Sequence, residues 1–177
     1  RSLVPNRTMI TKFYFPRLIV PLSAVLSGLV DFAIAFLLLG GMMVYYGIAP
    51  AAGAALLPLY LLLALVTAIG VGLWLSALNV HYRDIRYLIP FLTQFWMLAS
   101  PLAYEASEVF TRLPEAWQWL YALNPMVGVV EGFRAALLGT EVYSASFIWV
   151  SVASALLILL TGVFYFRSME RTFADTV

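Results

Sequence analysis

Runs of apolar residues long enough to cross a bilayer alternate with short polar breaks along this chain. A crossing helix needs about 20 predominantly apolar residues. Residues 18–46 are apolar except for Asp31; Pro21 suits a first helical turn, and Tyr45-Tyr46 before Gly47 reads as an interfacial stop. After a short uncharged loop containing Pro50, residues 54–78 form a second run, so the two predict an antiparallel hairpin. Gly40-Gly41, Gly70 and Gly72 read as sites of close helix contact, because small residues let helices approach in lipid.

A charged segment at 79–87 then interrupts the pattern. Val80, Arg83, Asp84 and Tyr87 fall at helical spacing there, which predicts one short interfacial helix. A third span, 88–104, carries Pro90, Gln94, Ser100 and Pro101 and is expected to bend or end near Pro101. Residues 105–124 mix charges with Trp117, Trp119 and Tyr121 and read as an amphipathic segment at headgroup level. Asn124-Pro125 is a helix-start signal and Gly139 a stop. The apolar helix 126–138 between them is roughly 20 Å long at about 1.5 Å per residue, short of the ~30 Å hydrocarbon core, and reads as re-entrant or interfacial. Residues 146–166 form the fourth span, and 167–177 a charged tail. The prediction is an all-α integral membrane protein with four transmembrane helices.

Composition agrees with that class. The chain is 63% hydrophobic and 11% charged with a mean hydropathy of +0.94, whereas soluble domains are about 25% charged. The charges are also sorted. Arg7, Lys12, Arg17, Arg83, Arg86, Arg167 and Arg171 fall on the side of the N-terminal segment, the second connection and the tail, while the other side holds the Gly47 loop and a stretch in which only Arg112 and Arg134 are basic. Basic residues mark the cytoplasmic side, so the C-terminus is expected there. The chain opens on Arg1 without a signal-peptide pattern, which suggests that an N-terminal portion is missing.

Candidate chemistry is sparse. With no cysteine and only His81, thiolate and zinc sites are not expected, and no phosphate-binding loop occurs, so any ATP must be used by another polypeptide. Asp31 stands mid-span, where a carboxylate is costly unless paired, protonated or facing water; it either lines a pathway or pairs with a neighbouring helix. Glu131 and Arg134 lie three apart and suit a local ion pair, with substrate contact as the alternative. His81 beside Asp84 reads as a contact residue rather than a proton-transfer site. Phe91, Phe95, Trp96, Tyr104, Trp117, Trp119 and Tyr121 can anchor at the interface, pack, or stack on sugar faces along a channel.

Three motifs in order, Ile10-Thr11-Lys12-Phe13-Tyr14-Phe15-Pro16-Arg17, Leu75-Ser76-Ala77-Leu78-Asn79-Val80-His81-Tyr82-Arg83-Asp84-Ile85-Arg86, and Leu123-Asn124-Pro125-Met126 through Glu131-Gly132-Phe133-Arg134, make the whole chain resemble the membrane subunit of the ABC exporters for cell-surface polysaccharides. The resemblance implies a type-2 exporter permease fold with six spans, of which two N-terminal spans and a gate helix are absent here. It implies a homodimer in the bacterial inner membrane, paired with two ATP-binding cassette subunits that hold ATP and Mg. The implied substrate is a lipid-linked polysaccharide such as an O-antigen, capsule or teichoic-acid precursor. This chain itself is expected to bind no cofactor, metal or nucleic acid and to have no catalytic residue. Thr11, Lys12, Phe13, Tyr14, Phe15 and Arg17, with His81, Tyr82, Arg83, Asp84 and Arg86, would be ATPase-coupling segments at 1–17 and 79–87. Residues 114–138 would be outer-side gate helices. A drug or lipid efflux permease, a membrane-embedded enzyme acting on lipid-linked sugars, and a passive channel are the competing readings.

Overall fold

The computed structural model describes residues 19–82, 84–102, 104–140 and 145–173. They form seven α-helices: α1 (Ile19–Tyr45), α2 (Leu57–His81, preceded by a 3-10 turn at Ala52–Leu56), α3 (Ile85–Ala99), α4 (Ala106–Arg112), α5 (Glu115–Ala122), α6 (Pro125–Leu138) and α7 (Ala145–Phe173). Among the described residues three helices are long and apolar enough to cross a membrane, within Ser23–Tyr45, Ala52–Asn79 and Ser146–Met169.

The centre of the fold is the pair α2 and α7. Leu63 packs with Ala155, and Leu73 and Ala77 with Phe166, so residue numbers rise together along both helices and the pair is parallel. Small residues set how close they come: Gly162 lies against the carbonyl of Gly70, and Gly70 against the backbone of Ile158 and Leu159. Around this contact Trp74 stacks on Tyr165 with centroids 4.6 Å apart, and its Nε1 donates to Thr161 Oγ1 at 3.1 Å. Gly72, Gly40 and Gly41, which the sequence also offered as packing sites, face open space instead: a methyl group at any of the three would meet nothing within 4 Å among the described residues.

Helix α1 packs loosely. Phe32 meets Phe133 edge-on at 5.8 Å, and an open apolar groove separates α1 from α2. The hairpin loop turns at Gly47, whose φ of +69° is a conformation that costs an L side chain roughly 1–2 kcal/mol.

Three expectations change. The segment 79–87 is not one helix. Backbone bonding carries α2 to His81, with Tyr82 N still donating to Leu78 O at 2.7 Å, then Tyr82 turns extended and α3 begins at Ile85. The 88–104 run is helical only over Ile85–Ala99, fifteen residues or about 22 Å, which is shorter than the ~30 Å core. Its end follows from Pro101, which disfavours helical backbone at the residue before it; Ser100 is extended, with φ −103° and ψ 143°. The stretch 167–177 is not a separate tail at its start, because α7 continues to Phe173.

Segment 105–124 is two helices broken at Leu113-Pro114. Helix α5 runs beside the start of α7: Trp119 meets Phe147 at 5.1 Å, and Ser151 Oγ donates to Ala122 O at 3.1 Å. Helix α6 then runs back, antiparallel to α2, from Val129 against Leu63, through Gly132 against Tyr60, to Ala136 against Gly53. Ala51 N donates to Leu137 O at 3.1 Å and fixes that end. The tip of this α5–α6 hairpin therefore lies at the level of Ser151, about 9 Å along α7 from its start.

Candidate functional site

A group of mutually bonded polar side chains gathers at the hairpin tip and along α6. Asn124 occupies the tip. As the N-cap of α6 its Oδ1 accepts from Met126 N at 3.1 Å, satisfying a donor of the first turn that has no helical partner. The same oxygen accepts from Trp96 Nε1 at 2.9 Å. Its Nδ2 donates to Ala99 O at 3.1 Å and Ser100 Oγ at 3.2 Å. An amide has two acceptor and two donor positions, so this one is fully used.

One helical turn spacing on α6 brings Glu131 and Arg134 together on the side turned from α2 and α7. Arg134 Nη1 donates to Glu131 Oε1 at 2.6 Å, with the two side chains 23% and 13% exposed. Arg134 Nη2 reaches the carbonyls of Pro101 at 3.2 Å and Tyr104 at 3.4 Å, tying α6 to the chain that leaves α3. Tyr104 Oη donates to Leu98 O at 3.1 Å, so in its 3.1 Å contact with Tyr121 Oη the Tyr121 hydroxyl is the donor. Burial, and then the bond with Tyr104, push the Tyr121 phenol well above its ordinary titration range and keep it protonated.

This arrangement offers hydroxyls, an amide and a compensated carboxylate. Such groups bind, orient and hold helices; a hydrolytic site would want a second carboxylate or a free base near Glu131. Among the described residues no three His, Asp or Glu side chains come close enough to hold a metal ion.

Of the residues singled out from the sequence, Trp96, Tyr104, Tyr121, Glu131 and Arg134 come together here. Phe91 and Phe95 lie exposed one turn apart on α3, with Tyr87 a turn before them. Trp117 and Trp119 are exposed on α5, and Asp31 is exposed on α1, next to the Phe32 that meets Phe133 of α6. His81 ends α2 at the opposite end of the bundle, followed by exposed Tyr82, Asp84 and Arg86. Thr11, Lys12, Phe13, Tyr14, Phe15, Arg17 and Arg83 lie outside the described residues. Sequence reasoning missed Asn124 and Ser100 as site residues: Asn-Pro signalled a cap, and nothing local shows that the same amide reaches a helix 25 residues away.

Residues 1–138 match the family described as ABC-2 type transporter. The chain is also similar to a protein of Myxococcus xanthus named O-antigen export system permease protein RfbA, 26% identical over 99% of this chain and 67% of the relative. Two proteins of Klebsiella pneumoniae with the same name are 24% and 22% identical, each over 98% of this chain and 66% of their own length. The chain thus spans about two thirds of the length of these relatives.

Proposed function

The chain belongs to the ABC-2 type transporter family, and on that premise we propose that it is the membrane subunit of an ATP-driven exporter carrying a lipid-linked polysaccharide of the O-antigen class across the bacterial inner membrane. The observation that carries the reading is similarity along nearly the whole chain to permeases named for O-antigen export.

The architecture gives this a physical form. Because α2 and α7 are parallel, the chain between them must return across the bundle, and it does so in two pieces: α3 rises from the 82–84 turn to Asn124, and α6 continues from Asn124 to Gly139. The third crossing is then a broken one, about 22 Å and 21 Å long at 1.5 Å per residue. Broken helices stand at membrane depth where protein or a water-lined cavity satisfies the freed backbone groups, which is the part Asn124, Ser100 and Arg134 play. Arg86, Arg167 and Arg171 fall at the end where α2 and α7 finish, and that end faces the cytoplasm.

There Tyr82, Arg83, Asp84 and Arg86 form, with residues 1–17, the surface on which a separate ATP-binding subunit docks. Two such subunits, holding Mg and ATP, serve a homodimer of permeases. The α5–α6 hairpin forms the outer gate, with Trp117, Trp119 and the ridge of Phe91 and Phe95 as stacking surfaces for sugar faces. The test is reconstitution of the full-length permease with its ATPase partner in liposomes, reading transfer of a labelled lipid-linked glycan. ATP-dependent transfer is expected; transfer of a drug or plain lipid in its place, or glycan turnover without any ATPase, would overturn the assignment.

A further inference from the structure

Asn124 does more than start α6. Ala99 O belongs to the last turn of α3, whose carbonyls have no partner within the helix, and Met126 N belongs to the first turn of α6, whose N–H groups have none. One amide therefore caps the C-terminus of α3 with its donors and the N-terminus of α6 with its acceptor. Helix α3 buries no residue, so side-chain packing gives little to hold its far end. Asn124 holds it at the Trp96 indole, the Ala99 carbonyl and Ser100, and Tyr104 Oη adds a bond to Leu98 O at 3.1 Å; Ser100 Oγ also donates back to Trp96 O at 2.9 Å. At its near end α3 is separated from the end of α2 by three residues, at the turn proposed to meet the ATPase.

We propose that Asn124 is a positioning residue that locks the end of α3 to the tip of the α5–α6 hairpin, so that displacement of the 82–84 turn reaches the outer hairpin through α3. This rests on the exporter reading above. Only a carboxamide fits the role. Serine caps a helix N-terminus but is too short to bridge to α3, and aspartate accepts but donates nothing to Ala99 O.

The test uses the full-length permease with its ATPase partner in nanodiscs, freed of any other cysteine and carrying Ala116→Cys on the exposed first turn of α5. The rate of labelling by a membrane-impermeant thiol reagent is read with and without ATP and vanadate. In the parent, ATP is expected to change the rate at least threefold. Asn124→Ser is expected to remove that change while ATP hydrolysis stays within twofold, and Asn124→Asp to behave alike. Trp96→Phe, which leaves both helix caps intact, is the second variant should Asn124→Ser fail to assemble, and it is expected to reduce the change. A labelling response kept in Asn124→Ser and Trp96→Phe would make Asn124 a local cap only and overturn the proposal, as would a parent in which ATP changes nothing. Glycan transfer by the parent separates the two levels: its absence sinks the exporter reading, whereas transfer that persists undiminished in the variants sinks only the joint.

Discussion

Gly70→Ala is the sharpest test of the central packing. A methyl group at Gly70 would stand 2.8 Å from Leu159 N and 2.9 Å from its Cα, and 3.0 Å from Ile158 C. Ordinary carbon contacts are about 3.5–4.0 Å, and the atoms in the way are helix backbone, which cannot swing aside as a side-chain end can. The two helices must separate by several tenths of an ångström, loosening the Trp74 stack on Tyr165 and the Leu73, Ala77 and Phe166 cluster. Overpacking of this kind costs about 1–3 kcal/mol. At about 2–4 °C per kcal/mol for a chain of this size, the melting temperature should fall by about 2–12 °C. Gly72→Ala, two residues along the same helix with nothing within 4 Å among the described residues, is the control and should hold or slightly raise it. The assay is the thermal transition of the purified full-length protein in detergent at a fixed scan rate, followed by the retained monodisperse peak. Equal melting of the two variants would refute the close α2–α7 crossing.

Two further outcomes are expected. Arg134→Met leaves Glu131 without its cation and the Pro101 and Tyr104 carbonyls without a donor. Because the pair keeps some exposure, the loss is set at about 2 kcal/mol, below the ~3–5 kcal/mol of a fully buried pair. Adding Glu131→Leu should recover part of it in the same melting assay, and no recovery would count against the ion pair. Arg83→Glu with Asp84→Arg should abolish co-purification of the permease with its ATPase subunit while leaving the permease yield unchanged; association retained in that variant would move the docking surface elsewhere.

Helix starts and stops written in local chemistry were legible. Asn124-Pro125 and Gly139 bound α6, with Gly139 at φ +69°, and Glu131 pairs with Arg134 three residues on. The break at 79–87 was legible as a break but not in form, because polar residues mark where the apolar run stops and not where backbone bonding does. The third span was overdrawn: composition continues to Tyr104, while Pro101 ends the helix at Ala99.

By itself the sequence determined that the chain is a multi-pass set of apolar membrane helices, and it predicts that most of its basic residues share one side of the membrane. Hydrocarbon thickness and the cost of burying charge are read residue by residue along the chain. Tertiary structure alone decided that α2 and α7 pack directly on each other, which of two neighbouring glycines touches a helix, and that Asn124 joins α3 to α6. Those depend on the rotation and depth of each helix against its neighbours, and hydrophobic periodicity barely constrains either in segments that are apolar on every face.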